Sequence, residues 1–202
     1  MNIFQKIQNF FKAKDYASVW QEFAMKYNGV YSSIPADSVR FSYKEIPVTF
    51  DDCTNYTISG PRSLQATYLR GMASFVLMQP FQLLITEQGI LENMSKIFGS
   101  QDIHIGDPVF DKMFMIQSND EAKAKRILSD SNLRDLLQEM KPVRLEITEG
   151  DGLFGEKPSE GNCMLYIVLE GNTEHIERLN QFYRLFAGVL DAGIKSDVIK
   201  KA

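Results

Sequence analysis

The chain has 202 residues, 44% of them hydrophobic and 24% charged. It is long enough to bury roughly 70% of its extended-chain surface, and its composition excludes wholesale disorder. A formal charge of −4 offers no basic excess to neutralise phosphates, which argues against a nucleic-acid binder.

Two cysteines, Cys53 and Cys163, make neither a disulfide framework nor a CxxC site. Two buried free thiols in a reducing compartment are the simpler reading, with a single bridge left open. No apolar run reaches the ~18 residues of a membrane span. The start, MNIFQKIQNFFKAKD, has no continuous apolar h-region and no small-residue cleavage site, so it is not a signal peptide. These features point to a cytoplasmic protein.

In chain order, an N-terminal helical segment covers residues 2–28. Its first part, residues 2–14, carries Ile3, Phe4, Ile7, Phe10 and Phe11 at helical spacing. Asp15 caps a second part whose stripe is Tyr16, Val19, Trp20, Phe23 and Tyr27, and Asn28-Gly29 stops it. Val39, Phe41 and Tyr43 then alternate with Arg40, Ser42 and Lys44, the pattern of a half-buried strand. Ile46, Val48 and Phe50 continue it past Pro47; Asp51-Asp52 and Asn55 read as a turn, and Tyr56 to Ile58 as a returning strand.

Gly60-Pro61 marks a turn into a strand at Leu64–Phe75. Phe81–Thr86 is a short buried strand, and Ile90–Phe98 is helical by period. Phe98 to Asp120 reads as a junction between a helix and an antiparallel strand, with Val109–Gln117 strand-like towards its end. Helices follow at Ala122–Leu128 and Asn132–Met140, then a strand at Val143–Thr148. Glu149–Asn162, with four glycines and a proline, is a loop that returns antiparallel into a strand at Cys163–Glu170. A last helix runs to about Ala192, with Ile176, Leu179, Phe182, Tyr183, Phe186, Val189 and Leu190 on one face. This order predicts a single α+β domain over residues 1–202: a largely antiparallel sheet packed by helices, with a long C-terminal helix.

No catalytic motif emerges. Asp102, His104, Asp107 and Asp111 include metal-ligand residue types, but their spacing fits no metal motif, and Asp107 before Pro108 is ordinary turn chemistry. His175 lies in the first turn of the last helix, flanked by Glu174 and Glu177, without a recognisable partner. Lys123, Lys125 and Arg126 read as a solvated helix face, supported by the Glu121–Lys125 spacing. The glycines of the 149–162 loop lead into a strand rather than a helix, so they form no phosphate cradle. No cofactor and no metal are expected.

The contact candidates are apolar. Leu153 and Phe154 sit inside a polar loop, where they tuck back onto the sheet or form an exposed contact tip, and Phe10 and Phe11 belong to the N-terminal stripe. That stripe packs on its own domain, on a protein partner or second copy, or, least favoured, on lipid, because Lys6, Lys12 and Lys14 are offset by Asp15 and the net charge.

Phe98–Leu128 resembles segments of uncharacterised bacterial domains in which a glycine-aspartate turn precedes an FD-K-F strand and a short helix. The matching positions are Gly106, Asp107, Phe110, Asp111, Lys112 and Phe114, followed by Asp120, Ala122 and Leu128. Some of those domains are membrane-associated; the resemblance implies no activity and no catalytic residues. The resulting expectation is a non-catalytic binding or protein-interaction domain. The alternative is an enzyme whose polar site assembles from His104, Asp107, Asp111 and His175.

Overall fold

The computed structural model describes residues 17–59, 62–88, 102–152, 155–171 and 173–200, the side chains of 55–59 and 62–65 excepted. Helix α1 runs through residues 17–26. Strands β1 (Val30–Ser32), β2 (Ser38–Tyr43), β3 (Ile46–Ser59), β4 (Arg62–Phe75) and β5 (Leu83–Glu87) follow. Then come α2 (Pro108–Met113), β6 (Phe114–Ser118), α3 (Glu121–Ile127), α4 (Ser131–Met140), β7 (Arg144–Thr148), β8 (Cys163–Glu170) and α5 (Ile176–Lys195). The eight strands form one sheet in the order β1-β2-β3-β4-β8-β7-β5-β6, every neighbour antiparallel. The α+β expectation holds, including the long last helix and the antiparallel return from β7 to β8.

One face of the sheet carries the helices. Val39, Phe41, Val48 and Phe50 meet Leu69, Ala73, Leu165 and Ile167 with Trp20 and Phe23 of α1 and Leu179, Phe182 and Phe186 of α5 in one core. Leu145 and Ile147 of β7, with Leu83 and Ile85 of β5, extend that core to Phe110, Ile127 and Leu137. The period-2 and period-3.6 stripes read from the sequence thus converge on the same interior. Gly71 of β4 is where α5 comes closest: a Cβ there would lie 2.8 Å from the Phe186 ring and 2.9 Å from Phe182.

Two local expectations are corrected. Asp51, Asp52 and Asn55 do not make a turn, for β3 runs through them and pairs with β4 from Val48↔Ala73 to Ser59↔Arg62. The strand tolerates the two aspartates because each finds a partner: Arg70 across the strand pair for Asp51, Thr173 for Asp52. Val109–Gln117 is likewise divided between α2 and β6. Asp107 caps that helix, accepting from the Val109 and Phe110 amides at 3.1 Å, and Pro108 needs no amide partner in the first turn. The helices expected over residues 2–14 and 90–98 lie outside the described residues.

Candidate functional site

The carboxylates between Asp102 and Asp111 hold backbone rather than facing one another. Asp111 accepts from the amides of Ile105 (2.9 Å) and Gly106 (3.1 Å), and Asp102 Oδ1 accepts from Ile116 (2.8 Å). His104 is exposed, with Nδ1 at 4.0 Å from Asp111 Oδ2. His175 lies elsewhere, as the N-cap residue of α5, close to Thr173 and hence to Asp52 of β3. The loop bearing His104 bonds to β6, five strands along the sheet from β3. At about 4.8 Å per strand the histidines stand roughly 20 Å or more apart. The set required by the enzyme alternative is therefore not brought together. Among the described residues, no group of three or more His, Cys, Asp or Glu is arranged to hold a metal ion.

The cysteines occupy opposite faces of the sheet. Cys163 faces the helical core and Cys53, half-buried, faces away from it beside Arg70, so the two do not bridge. Burial, reinforced by Glu149, pushes the Cys163 thiol up to about 12, which leaves it without a nucleophilic thiolate.

The opposite face, which carries no helix among the described residues, holds a polar network that the sequence did not announce. Arg144 and Glu146 are both buried and paired, with Arg144 Nε donating to Glu146 Oε2 at 2.6 Å. Burial pushes Glu146 above the usual carboxylate range, against the opposing pull of Arg144 and Thr148. Further across, Arg70 grips Asp51 through two bonds of 2.8 and 2.6 Å and also pairs with Glu156 of the β7–β8 loop. The loop approaches closely at Gly152, where a Cβ would meet the Tyr166 ring at 2.9 Å. Arg144, Glu146 and Thr148 alternate with Leu145 and Ile147 as an exposed strand face would, yet all are buried. With its charges saturated by neighbours, this network fixes the loop to the sheet and presents no free reactive group.

The two edges of the sheet differ. At β6 the Ile116 amide donates to the Asp102 carboxylate, and its carbonyl accepts from the Ile103 amide at 2.8 Å. Those groups are no longer available to an incoming strand. Among the described residues, β1 pairs with β2 alone and no loop backbone bonds along its outer side. Three apolar residues in or near β1 in sequence are exposed: Met25 78%, Val30 72% and Ile34 82%. Beside them lies a groove of about 540 Å³ lined by Gln21, Ala24, Met25, Asn28, Gly29 and Tyr31. Tyr31 is anchored by its hydroxyl, which donates to Asp37; burial and that carboxylate push the phenol up to about 12. The sequence pattern did not mark this rim as exposed. The four contact residues it did single out, Leu153, Phe154, Phe10 and Phe11, lie outside the described residues.

No family model matches the chain. No curated protein matches it either. Among solved structures, the crystal structure of the mycobacterial trehalose monomycolate transport factor A, TtfA, aligns over 86% of this chain and 95% of that one. The TM-score is 0.44 and the identity 11%; a likeness of that size carries no inference about function. No helix among the described residues is long and apolar enough to cross a membrane.

Proposed function

We propose that the chain is a non-catalytic, cytoplasmic protein-binding domain, akin to the uncharacterised bacterial domains that Phe98–Leu128 resembles, and that it meets its partner at the β1 rim. The supporting observation is the exposure of Met25, Val30 and Ile34 around an open strand edge and a partly apolar groove. Isolated apolar residues are normal on a surface; here three exposed ones fall close together in sequence around one edge strand, and an edge strand is a site for pairing. Leu153, Phe154, Phe10 and Phe11 stay as additional contact candidates on their sequence pattern alone.

Photo-crosslinking tests the reading. A photoreactive phenylalanine at Val30 or Ile34 yields a few defined adducts in cells, and Met25→Glu removes them without shifting the melting midpoint. The control position is Val109, 63% exposed in the helix packed by β6 at the far edge; it yields none of those adducts. The same adducts at Val109, or none at β1, would overturn the proposal.

A further inference from the structure

We propose that β1 receives an extended segment of a partner protein as an added strand, with alternate residues apolar and the intervening face acidic. This deepens the binding reading above and rests on it. Among the described residues β1 pairs with β2 alone, and the chemistry that satisfies outward main-chain donors and acceptors is another extended backbone.

The two faces of the sheet dictate the side chains. On the helix side, Tyr31 stands beside the groove with Ala24 and Met25, which takes an apolar residue. On the other side, Val30 is opposite Arg40 of β2. Arg40 is exposed and has no ion-pair or hydrogen-bond partner among the described residues. Because successive residues of a strand point to opposite faces, the incoming strand carries apolar residues towards the groove and a carboxylate within reach of Arg40.

A second copy of this chain fits poorly. β1 has three residues, about 10 Å of strand, so its length does not choose between a second copy and a foreign segment. Two-fold pairing of β1 with itself would bring two Arg40 side chains to the same face. A foreign acidic segment meets Arg40 with the opposite charge instead.

The probe is a phage-displayed library of random dodecapeptides panned on the full chain, with the enriched peptides then synthesised. Peptides that alternate apolar and acidic residues, and that slow hydrogen exchange at Val30–Ser32, are expected. N-methylation of alternate amides is the deciding step, since it deletes backbone donors while leaving the side chains in place. One of the two N-methyl sets is expected to weaken binding by about tenfold or more. Arg40→Glu, whose exposed position leaves the fold intact, is expected to lose the acidic peptides and select basic ones.

Equal affinity for both N-methyl sets, a footprint away from β1, or no enriched peptide would each overturn strand addition. Photo-adducts at Val30 that persist in any of those cases would show that the binding reading survives without it. Absence of both adducts and peptides would remove the two together.

Discussion

Asp52 shows how one buried acid couples the sheet to α5. It is 8% exposed, its Oδ1 accepts from the Thr173 hydroxyl at 3.3 Å, and its backbone amide donates to Asp37. Burial pushes its carboxyl from 3.8 up to about 7, with the Thr173 bonds and the Arg178 charge opposing. The folded state therefore holds this proton more tightly than the unfolded chain. The resulting stabilisation is fully present below 3.8 and is lost as pH rises through about 7. Asp52→Asn cannot titrate, so its melting midpoint falls less than the parent's across that window; parallel curves would refute the assignment. The buried Arg144–Glu146 pair responds differently. Arg144→Leu strands a buried carboxylate and lowers stability by about 3–5 kcal/mol in urea unfolding, whereas adding Glu146→Leu regains most of it. A double variant no better than the single would show that the pair's partners, rather than its charge, set the cost.

The elements were readable wherever one periodic stripe met one packed face. β2, α3, α4, β7 and α5 fall within a few residues of their predicted positions because their apolar spacing reports the helical core. β3 escaped because aspartates normally signal turns, and the partners that keep Asp51 and Asp52 in a strand, Arg70 and Thr173, lie 19 and 121 residues away. The first half of Val109–Gln117 escaped for a local reason, since its apolar residues hide a short helix that only the Asp107-Pro108 cap announces. Gly71 shows a dependence invisible to periodicity, because it lets Phe182 and Phe186 of α5 rest against β4. Gly71→Ala would push α5 outward and cost about 1–3 kcal/mol by overpacking. Chemical denaturation measures it, and an unchanged midpoint would mean the two rings adjust freely.

At the scale of the molecule, the proposed binding role rests on which edges of the sheet lack a partner among the described residues. The sequence identified no reactive constellation, and the structure separates its two histidines. It could not identify the edges, because strand order depends on pairings such as β4 with β8, whose registered residues are about a hundred positions apart. Asp102 illustrates the difference: read in sequence it was a candidate ligand, and in the fold its carboxylate closes the β6 edge at Ile116. An unblocked edge is a template for another strand, so Asp102→Ala should expose the Ile116 amide and promote pairing between copies along β6. Sedimentation velocity over a concentration series should then show a rising average coefficient for the alanine variant relative to the parent. Asp102→Asn keeps a carbonyl acceptor on a side chain of similar size and should behave like the parent. If the alanine variant sediments like the parent at every concentration, the Ile103 backbone alone guards that edge. The difference between β6 and β1 among the described residues would then owe nothing to this carboxylate.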